Sequence, residues 1–318
     1  MKKLVFRTAV AAVLCFTVSI SAAAAQMLVP VGKVVGLSLS EGSVTVVAFD
    51  DALGGPAKDA GLQVGDEILS VDDTTIDSAS DLHQALKQSD GRVRLTVSRD
   101  RKKHELMVRP SVSNEGPRLG VYVREGVTGI GTITYYDPES GKFGALGHGV
   151  SDARGKLAQM NTGSIYQASV VSVKQGQSGK PGQLKGAVSA AQPIGHLQIN
   201  CPFGVFGSCD AFSGEVLPVG KAKQGPAQIL SNVNGDAVET FSVEITRLFD
   251  ENNDNGRNLM LCVTDPDLLE TTGGIVAGMS GSPIIQDGKL VGAVTHVLVN
   301  SPDTGYGIFI ENMLEAAS

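Results

Sequence analysis

The hexapeptide Gly278-Met279-Ser280-Gly281-Ser282-Pro283 sets a serine between two glycines. An apolar run, an Asp287-Gly288 pair and a second apolar run ending at His296 follow it. Asp-Gly between two apolar runs is the signature of a two-residue hairpin turn. The serine therefore sits on a loop entering a hairpin, where glycines let backbone N–H groups converge beside its Oγ. Acyl transfer needs that arrangement: a hydroxyl nucleophile next to preorganised donors for the developing oxyanion. The same six residues also serve as a plain turn, so the chemistry has to be supported by partners elsewhere. A nucleophile elbow of the α/β-hydrolase type fits poorly. It requires Gly where Ser282 stands, and the order serine, acid, histidine leaves only Asp287 before His296. The order histidine, acid, serine directs the search upstream.

Upstream stands Phe143-Gly144-Ala145-Leu146-Gly147-His148-Gly149-Val150-Ser151-Asp152. A histidine between glycines has a backbone that other chain segments can approach closely, and a side chain free to enter a cleft. Paired with Ser280, His148 is the leading general base. His296 is its rival. If Asp287-Gly288 closes a two-residue turn, Thr295 lies opposite Ser280 and His296 faces the other side of the hairpin, which favours His148. For the carboxylate that orients the imidazole, Asp265 in Val263-Thr264-Asp265-Pro266 leads, with Asp137, Asp152 and Asp267 in competition.

The elements that must hold these groups are mostly strands. At 318 residues the chain has room for about two domains. Gly is abundant (39), Trp is absent, and the net charge is −7. An acidic chain of this kind is not a nucleic-acid binder, because phosphate contacts require a basic surface. Lys2, Lys3 and Arg7 precede an uncharged run closed by Ala22-Ala23-Ala24-Ala25. That pattern reads as a signal peptide over 1–26, with an uncleaved membrane anchor as the alternative. Cys15 inside it is read as an apolar residue.

Cys201 and Cys209 would close a short loop as a disulfide in an exported protein. Zinc on His196, Cys201, Cys209 and Cys262 fits no paired-ligand spacing. The acidic cluster at 250–256 has its glycine displaced and Leu261 where calcium needs a bidentate glutamate, so it reads as a solvated loop. No metal and no cofactor are expected.

From about 32 to 112 the chain alternates short strands with two short helices, the second with Leu82, Ala85 and Leu86 on one face. Pro56-Ala57-Lys58-Asp59-Ala60-Gly61-Leu62, followed by Gly65-Asp66-Glu67-Ile68 and Val71, resembles the PDZ modules of bacterial proteases. Such modules bind a peptide as an added strand. The expected groove lies between Gly36, Leu37 and Ser38 on one side and Leu82, His83 and Leu86 on the other. Residues 114–118 read as a linker. Beyond 117, many short β-like runs with Gly-rich turns predict a barrel or sandwich domain reaching residue 318.

Taken together, the His148 segment, Val263-Thr264-Asp265-Pro266 and the Ser280 segment through Val297 resemble the SpoIVB peptidase family, stage IV sporulation protein B of endospore formers. The resemblance implies a mainly β chain: a PDZ domain followed by a chymotrypsin-like double β-barrel serine protease domain. It implies His148 as base, Asp265 as acid, Ser280 as nucleophile, and the N–H groups of Gly278 and Ser280 as the oxyanion hole. Met279 stands where chymotrypsin relatives carry Asp, so activation through a buried ion pair is not carried over. Self-cleavage is further implied, as is cleavage of a membrane-embedded regulatory protein that triggers processing of a sporulation sigma factor. The implied location is the space between the mother-cell and forespore membranes, either tethered or secreted. The competing class is a non-catalytic PDZ scaffold with a degenerate protease domain.

Overall fold

The computed structural model describes residues 26–318 except 90, 101, 115, 153–154, 190–191 and 250–255. The expectations for the leader and for the acidic loop fall largely outside these residues. The chain opens with β1 (Met27–Pro30) and β2 (Val34–Phe49), the latter running through two bodies. After β2 come α1 (Gly55–Asp59), β3 (Glu67–Val71), β4 (Thr74–Thr75), α2 (Ala79–Gln88), β5 (Val93–Arg99) and β6 (Lys102–Val108). They form the expected α+β unit. Ser78 caps α2 by accepting the Asp81 N–H at 3.1 Å. The apolar stripe of α2 buries Leu82, Ala85 and Leu86 against Val44, Ile68, Val93, Leu95 and Val97. The buried Asp66 carboxylate is held by a bidentate Arg99, both contacts being 2.6 Å.

A small hairpin of β7 (Ser111–Ser113) and β8 (Gly116–Arg118) follows, and β9 (Val121–Asp137) then runs back alongside β2. Within the region expected as a linker, Gly116 to Arg118 are thus paired strand packed against α2. The expected domain boundary at 32 also changes. Val34 to Ser40 pair with β9 from Thr132 to Gly126, and Val35 to Ser40 pair on their other side with β11 (Thr162–Lys174). The α+β unit therefore does not precede the barrels. It is inserted into the first of them between Ser40 and Gly126, because β2 and β9 each extend through both bodies.

Among the described residues, six strands close each barrel. The first ring runs β2, β9, β10 (Lys142–Ala145), β14 (Gly204–Cys209), β13 (Gly195–Cys201), β11 and back to β2. Outside it, β12 (Gln183–Val188) extends β11, and β15 (Leu217–Pro218) pairs with β1. The second barrel is β16 (Gly225–Asn234), β17 (Ala237–Leu248), β18 (Leu259–Val263), β21 (Ser301–Phe309), β20 (Lys289–Leu298) and β19 (Pro283–Gln286). Helix α3 (Pro266–Thr272) lies between β18 and β19, and α4 (Ile310–Ala316) ends the chain.

Alternating apolar residues fill both interiors: Leu37, Leu39, Ile133, Phe143 and Ile165 in the first, and Ile229, Phe241, Ile245, Leu261 and Ile284 in the second. Leu28, Tyr135, Phe206, Leu290, Ile308 and Met313 share a further cluster that ties the barrels and α4 together. The mainly β, double-barrel expectation is met. The disulfide is not. Cys201 pairs with Gly204 near the β13–β14 turn, whereas Cys209 pairs with Gly195 at the far end, and both thiols are free. Cysteines so far apart along a ladder are beyond disulfide reach.

Candidate active site

After β10 the chain turns through Leu146 (φ 69°) and Gly147 (φ 67°). Two successive left-handed residues reverse it sharply, a conformation that is unfavourable for leucine. Burial of the Leu146 side chain and its N–H bond to the Thr132 carbonyl at 3.1 Å hold it there. Gly147 is required by crowding, since a Cβ would lie 2.8 Å from Thr295 Cγ2 and 2.9 Å from Ile308 Cγ2. The result carries His148 from the first barrel to the face of the second.

The serine loop comes from the opposite side. Gly281 presses against β9, where a Cβ would sit 2.0 Å from the Thr132 carbonyl oxygen and 2.6 Å from Leu146 N. Thr132 stitches the contact: its N–H donates to Ser280 O at 3.0 Å and its hydroxyl to Gly278 O at 2.8 Å. Met279, fully buried, anchors the loop in the second core. Among the described residues, the N–H groups of Gly278 and Ser280 have no acceptor, while Met279 N–H bonds Val276 O and Gly281 N–H bonds Val294 O.

His148, Ser280 and Gly278 all line one cavity of about 490 Å³ between the barrels, with Leu37, Leu39, Val127 and Ile130 as its apolar wall. That is the size and character of a ligand site. Within it, Ser280 Oγ donates to Thr295 O at 2.7 Å, and His148 Nδ1 lies 2.9 Å from Gly149 O. A proton on Nδ1 satisfies that carbonyl and leaves Nε2 as the base. Burial lowers the His148 pKa below its ordinary value, with the Gly149 bond opposing.

His296 belongs to the same cavity, contrary to the hairpin argument. Gln286 and Lys289 do flank a two-residue turn, but the register shifts between Ile284 and Ile285. Ile285 faces Leu290 while Ile284 faces Gly292, Gly281 and Ser282 both bond Val294, and β20 shifts register against β21 between Val294 and His296, so the simple two-residue register does not carry through to His296. The rings of His148 and His296 are 5.0 Å apart and inclined by 40°. Burial, then His148 and Arg257, push His296 down to about 4.

Asp265 is placed differently from the expectation. Its carboxylate caps α3, accepting the N–H groups of Asp267 (3.1 Å) and Leu268 (3.2 Å), and also that of Ser242 (3.0 Å). It makes no contact with His148. Asp followed by Pro at the first helical position is a cap signal that the sequence already carried. Asp137 and Asp152 close local turns onto Glu139, Ser140 and Lys156, and Asp267 sits in the first turn of α3.

The two sides of the expected groove do not face one another. Leu82, His83 and Leu86 line a cavity of about 500 Å³, but its other wall is Leu119 to Val123. Gly36, Leu37 and Ser38 instead lie inside the first barrel, paired on both sides, and cannot accept an added strand. The signal overlooked was Leu119-Gly120-Val121. Gly120 has φ 66°, and a Cβ there would lie 2.2 Å from Leu53 C.

Two solved structures are similar to the chain at a low level. The Rv3671c protease in its inactive form is 14% identical over 59% of this chain and 84% of that one, with a TM-score of 0.35. The active form, from M. tuberculosis, is 14% identical over 60% and 75%, with a TM-score of 0.38. No curated protein matches. Residues 52–99 match the PDZ domain. Residues 115–314, more than half of the chain, match the SpoIVB peptidase S55 family. The chain belongs to that family and is a serine peptidase carrying a PDZ domain.

Proposed function

We propose that this protein is an exported regulatory serine endopeptidase with Ser280 as nucleophile and His148 as base. Ser280 Oγ attacks the substrate carbonyl carbon while its proton passes to His148 Nε2. The N–H groups of Gly278 and Ser280 receive the oxyanion. His148 then protonates the leaving amine, and water, deprotonated in turn by His148, releases the acyl group. Substrate lies extended along β20 beyond Val294, adding main-chain hydrogen bonds. The observation that carries this reading is the convergence of His148 and Ser280, from different barrels, on one cavity beside two unclaimed N–H groups.

The family resemblance extends the proposal to biology: self-cleavage near the amino terminus, then cleavage of a membrane-associated regulator that triggers sigma-factor processing during sporulation. The charged and apolar amino-terminal segment supports export and work at a membrane surface between mother cell and forespore. Asp265, which the resemblance makes the acid, is left out of the steps because its carboxylate is committed to the α3 cap.

The Ser280–Thr295 bond favours a second reading, a PDZ scaffold with an idle site. Expression of the intact chain beside Ser280→Ala, with amino-terminal fragments read by mass spectrometry, separates the two. Fragments that vanish in the variant support the peptidase. Identical fragments together with no fluorophosphonate labelling of the parent overturn it.

A further inference from the structure

β9 does more than join the two bodies. β2 pairs with one of its edges, and among the described residues no strand pairs with the other edge from Val121 to Gly131. Three cavities follow one another along that edge. The groove over α2 takes Leu119 to Val123, a cavity of about 420 Å³ takes Arg124 to Thr128, and the catalytic cavity takes Val127 to Ile130. The second and third share Leu39, Val127, Thr128 and Ser151, so they run into one another. Between the first and second, Glu125 accepts the Ala79 N–H from the start of α2, an exposed contact that a passing chain has to open.

Both ends of the edge are prepared for main chain. Thr132 donates its N–H to Ser280 O and accepts from Leu146 N–H, so its peptide groups turn away from β2. By strand alternation those of Ile130 and Thr128 do the same, beside His148 and Ser280. At the other end the chain turns at Gly120 (φ 66°), and among the described residues the N–H groups of Leu119 and Gly120 have no acceptor. Adjacent unclaimed N–H groups in a turn make a nest for a carboxylate. Leu82, Leu86 and Leu119 give that end an apolar lining.

We infer that β9 is a ruler for a protein's free carboxyl-terminal tail. The tail ends in an apolar residue, its carboxylate is held at Leu119 and Gly120, and the residues before it lie along β9 as an added strand as far as Ser280. A tail fixed at Gly120 whose earlier residues follow this edge can only run antiparallel to β9. Its upstream peptide bond therefore meets the serine with the leaving-amine side on β9 and the acyl side on β20. Residue-for-residue pairing from Gly120 to Ile130 sets the cut about ten residues, or ~33 Å, before the end of the substrate. When Ser280 Oγ bonds to the carbonyl carbon, the C–N bond breaks and the nitrogen takes the proton from His148. The piece set free is the tail itself, still paired with β9.

This inference rests on the peptidase reading, and one experiment tests the two separately. The full chain is incubated with a mixed set of synthetic peptides, each more than twice the ruler's length and ending in a free apolar residue. Mass spectrometry reads the products. Carboxyl-terminal fragments of about ten residues should dominate whatever the sequence. Inserting Gly-Ser-Gly near the end of a peptide should shift the cut along the sequence by the length of the insert and leave the fragment length unchanged. Amidating the end removes a charged acceptor from the nest and should slow cleavage about 10-fold. Thr128→Pro deletes one outward N–H on an unpaired edge, where proline is tolerated, and should slow cleavage several-fold at a parental Tm.

Fragment lengths that follow sequence instead of distance from the end would overturn the inference while leaving the peptidase intact. So would an unslowed Thr128→Pro, or equal rates for free and amidated peptides, which would put internal segments on β9. Fluorophosphonate labelling of Ser280 in a parent that cuts none of the peptides would do the same. A parent that neither labels nor cuts would overturn both readings.

Discussion

Ser280 Oγ donates to the carbonyl oxygen of Thr295 at 2.7 Å, so the hydroxyl proton is held by the β20 backbone and not by His148. Substrate running along β20 would compete for the same carbonyl. Ser280→Ala should therefore abolish peptide cleavage while removing one partly exposed hydrogen bond, about 1 kcal/mol of stability. Thermal unfolding beside a cleavage assay checks both halves, and a large drop in Tm would mean that the hydroxyl is structural.

Acid should weaken the fold through the histidine pair. His296 has a folded pKa of about 4 against an unfolded value of 6.5, both its imidazole environment and that of His148 disfavouring the charged form. A depressed histidine pKa means that the unfolded chain binds more protons between those values. Stability therefore falls as pH drops from about 6.5 towards 4 and is level above 6.5. Denaturant titrations at stepped pH should show that slope, and His296→Phe should reduce it. An equal slope in the variant would assign the acid sensitivity elsewhere.

Asp265 gives a prediction opposite to its triad role. Removing a cap that satisfies three N–H groups should cost about 1–2 kcal/mol in Asp265→Ala, and less in Asp265→Asn. Turnover per folded molecule should be preserved in both, as measured by active-site titration after correction for unfolded protein.

The groove correction separates two sets of residues. A peptide with an apolar carboxyl-terminal residue, followed by fluorescence anisotropy, should bind the full chain several-fold more weakly when His83 is changed to Ala. Ser38→Ala should leave its affinity unchanged, because Ser38 pairs inside the barrel with Thr128 and Ser164. The reverse pattern would restore the groove expected from sequence.

Insertion of the PDZ unit can be tested by excision. Ser40 and Gly126 are directly paired, so replacing 41–125 with Asn-Gly should close a two-residue hairpin. The shortened chain should keep the near- and far-ultraviolet signatures of folded barrels. A molten product would show that the barrel cannot close without the insert.

Much of this was legible in the sequence for physical reasons. Gly147 and Gly281 marked the two close approaches, the Asp287-Gly288 turn was read correctly, and Pro56-Ala57 with Gly61 announced the inserted unit. What was missed depends on register and on long-range pairing. Register shifts near Ile284 and between Val294 and His296 break the simple hairpin alternation, and no local pattern displays them. Val35-Gly36-Leu37 looks like a strand in either body, and only its partners at 129–131 and 165–167 assign it to the barrel. Asp265 carried both a triad spacing and a helix-cap signature, and the cap describes the contacts it makes.

The shared strands β2 and β9 also bear on how the molecule comes to exist. The first barrel's opening strand emerges long before β9, its partner, and bringing two such distant segments together is an entropic hurdle. The intervening unit has its own core and can collapse first, delivering both strands side by side at its base. In that sense the PDZ fold is the template on which the peptidase closes. A mutation in its core should slow maturation of a catalytic cavity that it never touches.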